Sequence, residues 1–326
     1  MANKSILAIV ILILLGLSLI ISIPFLIISI DFSPYVKVKG APEPQEYYIT
    51  NSSGIYKLNL NVDVGNIEIA YTYDPVDYHA KIEIITDMIG QNLNSKNFDD
   101  YFNVIWDNTN TYTIELISES WFDNSLWIHR NISIIVTLNA NILFDINTTI
   151  NFQGDIELYV PGGVSINNVA VNIYNGTALL DFKYCTIEGN ITGLANHGDI
   201  TLRTNNVHYT SNSVLNITNI SGITIYDIFQ SKEMGANITS FSETNSGTTR
   251  IVYRDTTPKI GAQITFNNFS GEWGPFDFWD GFNFESLGFR GYLFTSFDFP
   301  TKSNYIFLLF KDLLGSYSFN LDSIPH

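Results

Sequence analysis

The sequence holds a single cysteine, Cys185, in 326 residues. One thiol cannot build an intramolecular disulfide framework or a thiolate metal cage; within a β-rich segment it reads as a small buried hydrophobe. Lysine and arginine are also scarce, 16 against 32 acidic residues, and they nowhere cluster. Phosphate backbones demand such clusters, so no nucleic acid partner is expected. The net charge of −16 instead suits a soluble, self-repelling surface. Alanine, methionine, lysine and arginine, which helical proteins use freely, are few. The histidines (His79, His129, His197, His208 and His326) show no metal-ligand spacing. No Ser/His/Asp order, P-loop or dinucleotide fingerprint is present, and no cofactor or metal is expected. What remains is rich in Ile, Asn, Ser, Thr and aromatics, which suit pleated strands and their corners. The expected fold is all-β.

One long apolar run stands apart. From Ser5 to Ile30 there is no charged residue, and at about 1.5 Å per helical residue the run exceeds the ~30 Å hydrocarbon core of a bilayer. It is longer than a cleavable signal region and no small-residue cleavage site follows, so it reads as an uncleaved transmembrane anchor. Lys4 precedes it, while Lys37 and Lys39 follow, so the positive-inside rule is nearly tied. N-x-S/T sequons beyond the run break the tie in favour of an exported C-terminal domain. Asn51, Asn131, Asn147, Asn175, Asn216, Asn219, Asn237 and Asn268 are the candidate glycosylation sites. Residues 1–4 are then a cytoplasmic N-terminus, 5–30 the span, and 31–46, with Pro34, Pro42 and Pro44, a stiff stalk.

The middle of the chain repeats about every 22 residues. Gly154-Asp-Ile-Glu-Leu158 returns as Gly176-Thr-Ala-Leu-Leu180, as Gly198-Asp-Ile-Thr-Leu202, as Ser221-Gly-Ile-Thr-Ile225 and, more loosely, from Ser246. Such a unit is too short for most helix-plus-strand repeats and suits one turn of a parallel β-solenoid, with glycine at a tight corner. On this register Ile156, Ala178, Ile200 and Ile223 form one inward column, and Leu158, Leu180, Leu202 and Ile225 the next. Glu157, Tyr159, Asp181, Thr201, Arg203, Thr224 and Tyr226 point outward, with Asp181 and Arg203 as neighbours. Asn168, Asn190 and Asn212 each lie 14 residues after their glycine and read as an inward amide ladder. Asn190 is also a sequon, and that inward placement sets it aside as a glycosylation site.

Upstream, alternating runs from Ile55 to Phe144 read as a β layer leading into the first coil. The order of a Val64-Gly-Asn-Ile-Glu-Ile69 strand, a hairpin-rich segment and repeated G-D-I-x-L coils resembles the "putative adhesin" β-solenoid domains, relatives of the head-GIN domains of bacterial surface proteins. The resemblance covers roughly 47–253 and implies a surface role and a fold, with no catalytic residues to carry over. The Leu-Pro that such domains often carry before the first coil is missing from Val136 to Ala140.

From Phe269 the composition turns aromatic: Phe276, Phe278, Trp279, Phe282, Phe284, Phe289, Phe294, Phe297 and Phe299 fall close together. This reads as a cap closing the stack, or as a surface for a partner. Ser303 to Leu314 reads as a short helix ended by Gly315. The alternating acids and amides from Asp277 to Glu285 match no EF-hand loop and read as strand-turn-strand. The organisation expected is therefore a β-rich lead-in over 47–153, solenoid coils over 154–268 and an aromatic-rich cap over 269–326. The function expected is that of a single-pass, cell-surface, non-catalytic protein held in the bilayer through 5–30 and binding a surface protein or glycan. A carbohydrate-active β-helix enzyme and a pilin-like filament subunit are the alternatives.

Overall fold

The computed structural model describes residues 36–37, 45–47, 54–74, 78–90, 100–107, 113–118, 127–257, 259–267, 278–288, 291–297, 299, 302–312 and 316–323. The run from Ser5 to Ile30 lies outside them. Among the described residues no helix is long and apolar enough to cross a membrane, and every regular element is a strand. The N-terminal strands are β1 (Val36–Lys37), β2 (Gln45–Tyr47), β3 (Ile55–Val64), β4 (Asn66–Thr72), β5 (Ala80–Gly90), β6 (Phe102–Asp107), β7 (Thr113–Ser118) and β8 (Trp127–Asn139). The central ones are β9 (Leu143–Gln153), β10 (Ile156–Val160), β11 (Ser165–Lys183), β12 (Thr186–Ile187), β13 (Ile191–Asn205), β14 (His208–Tyr209), β15 (Ser213–Gln230) and β16 (Ile238–Asp255). The C-terminal strands are β17 (Ile260–Asn267), β18 (Phe278–Asp280), β19 (Phe282–Ser286), β20 (Tyr292–Ser296), β21 (Asn304–Asp312) and β22 (Ser316–Ser323). The all-β expectation holds.

Pairing is parallel and in register through the centre. Ladder one runs β7, β3, β9, the first half of β11, β13, β15, β16, β21 and β17. Ladder two runs β8, β4, β10, the second half of β11, then β13, β15, β16, β22 and β18. A short third ladder joins the start of β11 to β12 and β14. Antiparallel partners lie beyond both ends of the parallel stacks: β6 on β7, β5 on β8, β20 on β17 and β19 on β20.

Glycine makes the corner between ladders one and two. Gly65, Gly154, Gly176, Gly198, Gly222 and Gly247 all take positive φ, from 137° to 158°. A Cβ on any of the last five would lie 1.8 or 1.9 Å from the carbonyl oxygen of the preceding glycine in the column. Neither the dihedral nor the spacing admits a side chain, which is why the repeat is visible in the sequence.

Behind that corner the side chains stack. Ile67, Ile156, Ala178, Ile200, Thr224 and Thr249 pair in order and are all buried. So do Ile69, Leu158, Leu180, Leu202, Tyr226, Ile251 and Phe319. The last member of each sequence-derived column, Ile223 and Ile225, is therefore corrected to Thr224 and Tyr226. The Gly198 and Gly222 cycles are offset by 24 residues, as in the bond from Ile223 N to Asp199 Oδ1, and a shift of one residue exchanges the two faces of a strand. Ile223 is 42% exposed, while Thr224 and Tyr226, expected outside, are buried.

Three further expectations change. Val64–Ile69 is no lead-in: β4 pairs with β10 as Ile67↔Ile156, so the Gly65 cycle is the first of the repeat, with β5 to β8 inserted after it. Ser303–Leu314 is not a helix. Its described part is β21, held between β16 and β17, with Ile306, Leu308 and Phe310 turned inward. The amide column is a ladder, but an outward one. Asp145 Oδ1 accepts from Asn168 N at 3.0 Å, Asn168 Oδ1 from Asn190 N at 2.9 Å, and Asn190 Oδ1 from Val214 N at 2.9 Å. Asn212 stands two residues out of that register; its Oδ1 accepts from Asn237 N at 3.2 Å, and Asn237 Oδ1 accepts from Tyr305 N at 2.8 Å. These amides satisfy backbone N–H groups where the chain turns a corner, and Asn168, Asn190 and Asn212 are exposed.

The C-terminal aromatics fill the end of the stack. Phe266 meets Phe294, Phe310, Tyr317 and Phe319 at centroid distances of 5.2 to 5.7 Å. Phe282, Phe294 and Phe310 are buried; Trp279, Phe284 and Phe297 are 38 to 50% exposed. Phe276 and Phe289 lie outside the described residues.

Candidate functional site

The outer faces of the two long ladders differ in chemistry. Ladder two carries a charge line at successive cross-strand positions: Tyr159, Asp181, Arg203, Asp227. Asp181 receives Lys183 at 3.0 Å and Arg203 at 3.6 Å, and Arg203 also reaches Asp227 at 3.3 Å. The expected Asp181–Arg203 neighbour pair is thus present, although Asp181 is only 4% exposed beneath its cations. Tyr159 donates to Glu157 Oε2 at 2.7 Å, and that bond to a carboxylate, with burial second, pushes its phenol up to about 12. Further along, Arg254 pairs with Asp322 at 3.7 Å.

Between β16 and β22 on this ladder lies an open depression of about 460 Å³, lined by Arg250, Ile251, Val252, Ser318, Phe319 and Asn320. Arg250 stands directly opposite Ser318, and Val252 opposite Asn320. Sequence reasoning missed this group, because β22 arrives there only after β17 to β21 have been built beyond it.

The middle of ladder one presents small and amide side chains instead, while Glu243 and Lys311, opposite each other on β16 and β21, pair at 3.1 Å further along. Asn147, Ala170, Thr192 and Asn216 form one outward row around a depression of about 290 Å³. At the glycine corner a groove of about 370 Å³ is lined by Asn66, Asn131, Asp155 and Asn175 among others. Here an Asn or Asp after the glycine reaches along the stack: Asn66 Oδ1 accepts from Asp155 N at 3.2 Å, Asp155 Oδ1 from Thr177 N at 2.8 Å, and Asp199 Oδ1 from Ile223 N at 2.8 Å.

The candidate sequons fall out as follows. Asn131, Asn147, Asn175 and Asn216 are exposed, and Asn237 is half-buried. Asn51 and Asn268 lie outside the described residues. Asn219 is 0% exposed; its Nδ2 donates to Gly198 O at 3.1 Å and its Oδ1 accepts from Ser221 N at 3.1 Å. Its amide is thereby committed to the corner. Asn190, which the expected inward ladder would have hidden, is exposed.

Cys185 is buried, and burial pushes its thiol up to about 12; a protonated buried thiol is a poor nucleophile. His197 lies in β13 beside its glycine, edge-on to Tyr174 at 5.5 Å. Asp277 lies outside the described residues, and Asp280-Gly281 turns between β18 and β19, with Gly281 at φ 73°. Among the described residues no group of three or more His, Cys, Asp and Glu is placed to hold a metal.

These features define an all-β protein of stacked parallel ladders, with a line of ion pairs on one outer face and a row of amide and small side chains on the other. No family profile matches the chain and no curated protein does. Three crystal structures are similar over most of its length. A "putative cell adhesion protein" from Clostridium sporogenes is 13% identical, covering 86% of this chain and 98% of its own, at a TM-score of 0.34. A "putative adhesin" from Bacteroides fragilis is 10% identical, covering 89% and 97%, at 0.37. A "putative lipid binding protein" from Parabacteroides distasonis is 12% identical, covering 88% and 98%, at 0.32.

Proposed function

We propose that this is a membrane-anchored surface protein whose ladders wind as a parallel β-solenoid, holding an adhesin-like, non-catalytic binding face outside the cell. The bilayer is engaged through 5–30, and the partner is a surface protein or glycan. The observation that carries this reading is the partition of the sequons. The exposed ones lie on ladder one or at its corners. From β4 onward the ladder-two segments 66–72, 156–160, 177–183, 199–205, 223–230, 248–255 and 316–323 contain no sequon asparagine, and Asn131, on β8 at the outer end of that ladder, lines the groove at the glycine corner. A chain glycosylated on one face keeps the other bare for contact.

In the native source, glycopeptide mass spectrometry is expected to find glycans at Asn131, Asn147, Asn175 and Asn216 and none at Asn219. A glycan on Asn219 would mean that the corner holding it opens before folding is complete. Topology is tested separately. Protease added to intact cells is expected to remove the chain beyond about Asp31 and leave a small membrane-bound stub. A C-terminus that survives on intact cells overturns the surface placement.

A further inference from the structure

We infer that the depression around Arg250 binds a carboxylate-bearing saccharide; this deepens the binding reading above and rests on it. Arg203 is held by Asp181 and Asp227, and Arg254 by Asp322. Arg250 is exposed and, among the described residues, forms no ion pair or hydrogen bond. Arg250 lines the depression, with Ser318 directly across the strand pair and Asn320 two residues on. Among the described residues no carboxylate lines the depression. The nearest acid on the neighbouring strand, Asp227 opposite Val252, is already held by Arg203 at 3.3 Å.

The donor set has a definite preference. A guanidinium offers a planar fork that matches a carboxylate, and a hydroxyl and a carboxamide serve both the donors and the acceptors of sugar hydroxyls. The depression is partly open to solvent and lies between two strands, which suits a chain of polar rings better than an apolar ligand needing full enclosure. The strand segments that line it, 248–255 and 316–323, carry no sequon, so glycans on these strands do not compete for it. A net charge of −16 repels an acidic polymer at long range, but screening confines that repulsion to about 8 Å at physiological salt, and among the described residues the charged side chain that lines the depression is Arg250.

The test is binding of the full-length chain in detergent to tetramers of galacturonate, glucuronate and mannuronate, with the methyl ester of each as a neutral counterpart. At least one acidic tetramer is expected to bind. Esterification and Arg250→Ala are each expected to weaken it by about tenfold or more, the scale of one hydrogen-bonded charge pair. Arg250→Lys should restore part of the loss, and Arg254→Ala, at a paired arginine nearby, should leave affinity unchanged. An unchanged melting temperature in Arg250→Ala separates lost binding from lost fold. Equal binding by Arg250→Ala, equal binding of the esters, or no binding of any of the three tetramers overturns the inference. Binding of a peptide C-terminus in place of the sugars overturns it too, while leaving a binding role standing. If the intact chain adheres to no cell surface or envelope fraction, the broader reading fails with it.

Discussion

Gly198→Ala is expected to destabilise the protein by more than about 3 kcal/mol, against roughly 1–2 kcal/mol for Gly163→Ala. Both glycines have positive φ, 151° and 85°, so both substitutions carry backbone strain. They differ in what surrounds the new methyl. At Gly163 nothing lies within 4 Å, whereas at Gly198 the Cβ would stand 1.8 Å from Gly176 O and 2.9 Å from Gly176 N. Backbone cannot swing aside as a side-chain tip can. Relief requires β11 and β13 to move apart where they exchange ladder bonds on both sides of the corner, Asn175↔His197 and Thr177↔Asp199. Because each cycle is stabilised mainly by its neighbours, the loss should appear at the β11–β13 interface first. Hydrogen exchange in the two variants, alongside denaturant unfolding, checks both size and place. Comparable midpoints for the two would mean that the glycine column is not in contact.

That column also explains what could and could not be read in advance. A position closed to every side chain leaves a glycine at each pass, so the period from Gly154 onward stands out in the sequence. Gly65 belongs to the same column, yet its next member is 89 residues away. The two cycles are tied by such contacts as Asp155 N to Asn66 Oδ1 at 3.2 Å, with that separation in sequence. Repeats seen at a fixed spacing hide a cycle whose successor follows a long insertion. Nor is a face legible at a corner. Asn168 and Asn190 recur faithfully because each accepts a backbone N–H from the next cycle, but no apolar–polar alternation there shows whether the amide points in or out. The apolar density of Ser303–Leu314 suits helix and buried strand alike, and only its place between β16 and β17 decides. Arg250 and Ser318 had no local signal at all, because a non-local strand return sets them opposite each other.

The register slip at the fourth glycine gives the other large effect. Ile200→Asp is expected to cost more than about 4 kcal/mol: a packed side chain is lost and an unpaired carboxylate is buried. Ile200 is 0% exposed, and its Cδ1 lies 2.5 Å from where a Gly193 Cβ would stand, so it fills the space that the glycine leaves open. Water has no path to a carboxylate there. Thr201, one residue on, faces outward, and Thr201→Asp should change stability by less than about 1 kcal/mol. The informative comparison is one cycle further. Counting 23 residues on from Ile200 gives Ile223; the ladder, offset by 24, gives Thr224, whose Oγ1 lies 3.3 Å from Thr244 Oγ1 inside the stack. Ile223→Asp, on a side chain 42% exposed, should therefore be tolerated within about 0.5 kcal/mol. Thr224→Asp should cost several kcal/mol, since its carboxylate would be buried against hydroxyls too few to solvate it. Urea unfolding of the four variants ranks them. An Ile223→Asp variant as damaged as Ile200→Asp would restore the shorter count and turn Tyr226, and the whole outer face from β15 onward, the other way.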